Sequence, residues 1–219
     1  MPRILITLGP TREYIDEIRF ISNSSSGKMG LALAYEALKR GFEVTIVSGP
    51  ISLPYPDRAS VLSVTSAKEM LDETVKELKR THYNLLISAA AIADYTPASK
   101  VKGKIKSKNA ELMISLNPTQ KLTQTLKTGF PDTPIVAFKA ETEVSENELI
   151  LRAKTKLNHE GLDLIIANDI SKFKMGSDLN QVFIIDKKGI VSISDKASKK
   201  EIAEYIFNKI LGQGILRKP

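Results

Sequence analysis

The chain has 219 residues, 42% of them hydrophobic, carries 32 Lys and Arg against 25 Asp and Glu for a net charge of +7, and contains no cysteine. That excludes disulfides, thiolate nucleophiles and thiolate metal sites; no apolar run approaches the roughly 20 residues that span a bilayer and no signal peptide opens the chain, so a soluble, cytoplasmic protein is expected. The basic surplus suits any polyanion, but aromatics at 6% and the lack of an RNP-like, zinc-finger or helix-turn-helix signature argue against nucleic acid and for a small phosphorylated ligand.

In chain order, residues 3–8 (RILITL) form a short apolar run that predicts a strand, closed by Gly9-Pro10. Residues 31–40 (LALAYEALKR) have helical apolar spacing and stop at Gly41. Between them lies ISNSSSGKMG, residues 21–30, whose Ser24, Ser25, Ser26 and Gly27 can cap the helix and leave backbone N–H groups facing outward. A helix start of this kind favours phosphate, and it equally suits an ordinary surface cap. Residues 43–48 (EVTIVS) predict a second strand, 61–64 a third, and 67–79 a helix. Residues 85–91 (LLISAAA) are apolar throughout, as in a parallel strand buried on both faces. Strand and helix alternate at short intervals, which predicts an α/β fold: a Rossmann-like, mostly parallel open sheet with helices on both faces.

The alternation breaks over residues 92–116. Lys100, Lys102, Lys104, Lys106 and Lys108 occupy every second position, so an extended chain would set all five on one face. Residues 111–116 (ELMISL) supply the expected hairpin partner of a protruding lysine-rich flap. Beyond it come a helix after Pro118, a strand at 135–139, a helix at 146–159, a strand at 162–167, a hairpin of 181–186 with 190–193 around Lys187-Lys188-Gly189, and a final helix at 199–211. No linker divides the chain, so one domain over 1–212 is expected, with 213–219 as a frayed tail. The only histidines, His82 and His159, lack HExxH spacing and read as surface residues near helix ends.

A dinucleotide-binding oxidoreductase fits poorly. The first loop has no GxGxxG, and the second strand ends in Ser48-Gly49-Pro50 where an NAD site needs an acidic residue. A Walker P-loop is also missing, because GKMG follows serines without the GxxxxGK[ST] frame.

Several separated segments, in order, closely resemble phosphopantothenoylcysteine synthetase (phosphopantothenate–cysteine ligase). They are GPTRE at 9–13 with Ile15-Asp16, RFISNSSSGKMG at 19–30, AAAIADY at 89–95, Lys104-Ile105-Lys106, Leu116-Asn117-Pro118, FKAET at 138–142, Ala167-Asn168-Asp169 and GSDLN at 176–180. The resemblance implies a ligase of coenzyme A biosynthesis. It would join 4'-phosphopantothenate and L-cysteine through an acyl-nucleotide, with release of pyrophosphate from CTP or ATP. Mg2+ is expected only as a complex of the nucleotide, with no dedicated protein cage.

By the same resemblance, Asn23 holds the acyl carbonyl as an oxyanion-type donor, and Lys104, on the flap, offsets charge developing on pyrophosphate. Without the resemblance, Asn23 would read as a cap or turn residue and the lysines as a solvated edge strand. Ser25, Ser26 and Gly27 would contact the acyl substrate. The nucleotide contacts map onto Ser88, Ala89, Ala90, Asp94, Pro118, Thr119, Gln120, Lys121, Phe138 and Lys156. Three positions depart from the family pattern. Ser107 follows Lys106 where a second lysine is usual, with Lys108 as a substitute. Glu160 stands four residues after Lys156 where a lysine is usual, with Lys154 as a replacement. Lys139 stands where many CTP-dependent members have alanine, which keeps ATP open.

The family domain pairs as a homodimer, with the 21–30 loop and the flap near the interface. It often follows a flavin-dependent decarboxylase, and none precedes Met1. A stand-alone ligase or a separately expressed half is therefore expected, with phosphopantothenoylcysteine decarboxylase as a separate partner. Two rival readings differ in what they bind: an oxidoreductase would take NAD(P), and a non-catalytic nucleic-acid binder would lose affinity steeply with salt.

Overall fold

A computed structural model of the chain describes residues 1–107, 111–173 and 177–217. Strand β1 (Arg3–Leu8) leads into a small hairpin, β2 (Arg12–Tyr14) and β3 (Phe20–Ser22), and then helix α1 (Lys28–Lys39). Next come β4 (Glu43–Ser48), β5 (Ser60–Ser63), α2 (Ala67–Arg80), β6 (Leu85–Ser88) and a second small hairpin, β7 (Tyr95–Pro97) with β8 (Leu116–Pro118). The C-terminal half runs α3 (Leu122–Gly129), β9 (Ile135–Glu141), α4 (Glu146–Glu160), β10 (Leu164–Asp169), β11 (Leu179–Asn180), β12 (Phe183–Asp186), β13 (Val191–Ile193), β14 (Ala197–Ser198) and α5 (Lys199–Gly212).

Eight strands form one sheet in the order β13-β12-β10-β9-β6-β1-β4-β5. The six from β10 to β5 are mutually parallel, and the hairpin β12–β13 adds an antiparallel edge. Counted in chain order, the parallel strands stand 3-2-1-4-5-6, the doubly wound order that reverses between β1 and β6. The two-residue period of a strand explains the two cores. Ile4, Ile6 and Leu8 pack with Leu33, Ala37 and Phe207 of α1 and α5, while Leu5 faces Met70, Leu126 and Leu157 of α2, α3 and α4. Each such side chain contributes about 1.5–3 kcal/mol by leaving water.

Helix α1 begins where β1 ends because two glycines allow it. Gly27 is its N-cap at φ 75°, in the left-handed region, and a Cβ on Gly30 would lie 2.3 Å from the Cβ of Leu8. Of the four candidate capping residues 24–27, Gly27 is the cap, without a side-chain bond, while Ser25 and Ser26 accept from the N–H groups of Gly27 and Lys28 at 3.3 and 3.5 Å.

The extended lysine strand is not formed among the described residues. Gly103 turns the chain at φ 76°, and the backbone of 101–105 bonds to the β2–β3 turn instead of to 111–115. Of the expected partner 111–116, Leu116 pairs with Pro97 at the start of β8 and Ser115 O accepts from the Ala98 N–H at 2.9 Å. Lys108 lies outside the described residues. The buried strand predicted over 85–91 ends at Ser88, and the frayed tail is docked at least to Leu216, which is 4% exposed behind a turn at Gly214.

Asp163 ties three elements together at the start of β10. Its carboxylate accepts from the Ile135 N–H at 2.8 Å, from Lys127 at 3.1 Å and from Lys187 at 2.7 Å. Burial pushes this carboxyl up, but Lys187, the Ile135 N–H and Lys127 together hold it below the usual carboxylate range. A depressed folded pKa contributes stability above the unfolded value and loses it as pH falls through the folded one. Asp163→Asn should cost about 2 kcal/mol near neutral pH. In urea unfolding from pH 7 down to 3, the gap from wild type should narrow once pH drops below about 4.

Candidate active site

The reversal of strand order leaves a crevice above the carboxyl ends of β1 and β6, where doubly wound sheets receive ligands. Here it is a cleft of about 410 Å³. Its floor is the continuation of the two strands as paired backbone: Ala89 N–H donates to Thr7 O at 3.0 Å, Ala91 N–H to Gly9 O at 2.9 Å, and Ala93 N–H to Thr11 Oγ1 at 2.9 Å. One wall is the β3–α1 loop with Asn23, Ser25, Ser26 and Gly27. The opposite wall is Asp94, Thr119, Gln120 and Lys121 around the start of α3, and Phe138 rises from β9 beyond the end of β6.

The structure brings most of the expected residues together. Asn23, Ser25, Ser26, Gly27, Ser88, Ala89, Ala90, Asp94, Thr119, Gln120, Lys121, Phe138 and Lys156 all line the cleft. Pro118 does not, being the last residue of β8, next to Thr119. Lys104 is exposed on the segment docked against the β2–β3 turn, outside the lining. Lys154 does not replace a cleft lysine either, because it lies by Gly189 in the β12–β13 turn.

Asn23 is already engaged. Its side-chain amide donates to Ile92 O at 3.0 Å and to Ala91 O at 3.3 Å, which uses both hydrogens and ties the β3–α1 loop to the end of β6.

Among the described residues, five lysines and two carboxylates line the cleft: Lys28, Lys121, Lys139, Lys156 and Lys199 against Asp94 and Glu160. Lys121 bonds Asp94 directly, and Lys156 meets Glu160 at 2.6 Å, where Thr123 also donates at 2.5 Å. Lys139 reaches Glu141 at 2.8 Å; burial pushes that carboxyl up, but Lys139 and Arg152 hold it below its ordinary range. Lys28 pairs at 2.6 Å with exposed Asp178, whose carboxyl it lowers. Lys199 makes no ion pair among the described residues, and burial, then the charge of Lys28, pushes its ammonium down. Neither Lys28 nor Lys199 was singled out from the sequence, yet each is the first residue of a helix, where the dipole disfavours a cation. That misplacement was the available signal. Asn168, Ile170 and Phe173 also line the cleft beyond β10. His82 and His159 are exposed, and among the described residues no three acidic or histidine groups stand together as a metal cage.

A mostly parallel doubly wound sheet, with a lysine-lined cleft at its switch point among the described residues, defines an α/β protein of Rossmann-like architecture. The chain belongs to the family described as the DNA/pantothenate metabolism flavoprotein C-terminal domain, whose family model matches residues 2–213. It is 43% identical over 208 residues to the "Coenzyme A biosynthesis bifunctional protein CoaBC" of Methanocaldococcus jannaschii and 39% identical over 208 residues to that of Thermococcus kodakarensis, covering 95% of this chain and 50% of each relative. The chain therefore spans about half the length of these relatives. The crystal structure of the C-terminal domain of a CoaBC protein superposes with a TM-score of 0.80 at 33% identity, covering 97% of this chain and 95% of that one. No described helix is long and apolar enough to cross a membrane.

Glu160 neutralises Lys156 within the cleft, so Glu160→Gln should raise affinity for inorganic pyrophosphate about fivefold by titration calorimetry at low salt, and the gain should shrink as salt is added.

Proposed function

We propose that this domain is a phosphopantothenate–cysteine ligase acting in coenzyme A biosynthesis. The observation that carries the reading is the cleft at the β1/β6 switch point, where the Asn23 loop, the backbone of 88–91 and five lysines converge in a chain of the pantothenate-metabolism family. The CoaBC name of the relatives points to the same pathway.

A carboxylate resists attack by an amine, being anionic and without a leaving group. In the proposed reaction an oxygen of the 4'-phosphopantothenate carboxylate attacks the α-phosphorus of a nucleoside triphosphate. The bond to the β-phosphate oxygen breaks, and pyrophosphate leaves. The amine of L-cysteine then attacks the acyl carbonyl, the nucleoside monophosphate departs and the amine proton is lost. The protein's contribution is positioning and charge.

Ser25, Ser26 and Gly27 face the acyl substrate. Asn23 donates to its carbonyl, exchanging the longer of its two backbone bonds, that to Ala91 O, for the incoming oxygen. Ser88, Ala89 and Ala90 meet the nucleotide along the cleft floor and Phe138 offers a ring face, while Asp94, Thr119, Gln120, Lys121 and Lys156 lie along the phosphates and ribose. Pro118 sets the approach of Thr119, whose hydroxyl donates to Ala93 O at 2.6 Å. Lys104 approaches from outside to offset charge on the departing pyrophosphate.

The nucleotide is CTP or ATP. The cleft carboxylates are taken up by lysines, so Mg2+ would arrive as the nucleotide's complex, where it screens phosphate charge. A homodimer is supported by the exposed apolar side chains of the two small hairpins and the residues next to them: Ile18, Phe20, Tyr95, Met113 and Leu116. A phosphopantothenoylcysteine decarboxylase would consume the product.

Pyrophosphate release from CTP and from ATP with 4'-phosphopantothenate, with and without cysteine, tests the reading. One nucleotide should be preferred, the cysteine amide should form, and Asn23→Ala should stay folded with kcat lowered about a hundredfold. A folded protein that consumes neither nucleotide overturns it.

A further inference from the structure

The turn between β2 and β3 is exposed at Glu17 and Ile18, yet Asp16 at its start is 0% exposed. Its two oxygens do different work. Oδ1 accepts from the N–H groups of Ile18 at 2.8 Å and Arg19 at 2.7 Å, which closes the turn locally. Oδ2 accepts from the Arg19 guanidinium and, at 3.1 Å, from the N–H of Ile105, 89 residues further along the chain. Ile105 lies between Lys104 and Lys106, both exposed.

The neighbouring contacts repeat this docking. Val101 N–H donates to Ile15 O at 2.8 Å, Glu17 N–H to Gly103 O at 3.4 Å, and Lys100 pairs with Glu17 at 3.1 Å. A local turn needs one acceptor, and asparagine supplies it as well as aspartate. Burying a second charged oxygen costs free energy unless it is partnered, and its crossing partner is the backbone of the lysine segment. The hairpin holding that segment at its turn ends, through β3, at Asn23.

We infer that Asp16 is a positioning residue: its carboxylate fixes Ile105 to the β2–β3 hairpin and so sets where Lys104 and Lys106 stand relative to Asn23. The catalytic part of this inference rests on the ligase reading, but the anchoring does not. Arg19's N–H, against the effect of burial and with the Ile18 and Ile105 N–H groups, holds the carboxyl far below the usual range, so the anchor stays ionised at neutral pH.

Asp16→Asn separates the two roles, because its remaining oxygen keeps the local turn while its NH2 meets two donors. Ile105→Pro removes the crossing N–H and leaves the turn untouched. Limited trypsin digestion after Lys102 and Lys106 should accelerate about tenfold in either variant, with far-UV circular dichroism unchanged; cleavage after Lys104 is scored in Asp16→Asn only, because trypsin does not cut a Lys–Pro bond. For pyrophosphate release, kcat per folded molecule, with the folded fraction fixed by circular dichroism, should fall about tenfold while KM for 4'-phosphopantothenate stays within about twofold; general destabilisation would lower the folded fraction and leave kcat per folded molecule unchanged. If Asp16→Asn does not fold, Ile105→Pro decides. Wild-type cleavage rates in folded variants overturn the anchor, and faster cleavage with unchanged kcat overturns the positioning role. A wild-type protein that releases no pyrophosphate refutes the ligase reading and with it the catalytic part, and the trypsin result still decides the anchor.

Discussion

The site depends on how closely α1 approaches β1. A Cβ on Gly30 would sit 2.3 Å from the Cβ of Leu8, and one on Gly27 would sit 2.7 Å from Ile51, so glycine at both positions lets the helix start directly over the strand end. The cap and first residues of α1, Gly27, Lys28 and Met29, then line the same crevice that the β1/β6 reversal opens. In a dinucleotide-binding fold, clustered glycines make this approach. Here dispersed ones do, which is why the missing GxGxxG fingerprint argued against NAD without arguing against the fold.

Charge is the second organising feature of the cleft. Five lysines in one crevice repel each other, and the protein moderates this with short pairs to Asp94, Glu141, Glu160 and Asp178. Such pairs hold long side chains in defined places until a stronger anion competes for them, and exposed pairs cost little to open. Lys28 and Lys199, at the first positions of α1 and α5, sit against the positive ends of both helix dipoles. A local rule broken twice at one cleft is consistent with the binding role proposed for it.

The parallel sheet was legible because buried strands write themselves as apolar runs and helices as periodic ones; every main-sheet strand and all five helices fell where the pattern placed them, within a few residues. The Ser25-Ser26-Gly27 helix start was legible from its residue types, and the rest of the expected cleft residues only through the family resemblance. Ala89 and Phe138 look like core in isolation, and backbone that lines a crevice has no side-chain signature. The lysine segment misled for a physical reason. Alternation at period two states which side chains share a face if the chain is extended, but not whether a neighbouring strand offers hydrogen bonds. Here the acceptor for Ile105 is a buried carboxylate 89 residues earlier, and nothing in local pattern reports a contact of that span. The ion pair of Lys156 with Glu160 was likewise implicit in their i,i+4 spacing, but only the fold shows both facing the cleft.

In the proposed reaction, Asn23 links these features to the chemistry. An amide whose hydrogens both rest on the carbonyls of Ala91 and Ile92 is held in one orientation before any ligand arrives. A donor so constrained loses little freedom when an acyl oxygen displaces the weaker bond, which is the condition under which a single hydrogen bond contributes most to a transition state. The carbonyls that hold it belong to the segment whose backbone continues the β1–β6 pairing, with Ala91 N–H donating to Gly9 O and Thr11 N–H to Ala91 O. The orientation of the proposed catalytic amide is thus inherited from the central strands of the sheet through these two backbone bonds, and depends on no flexible side chain other than its own.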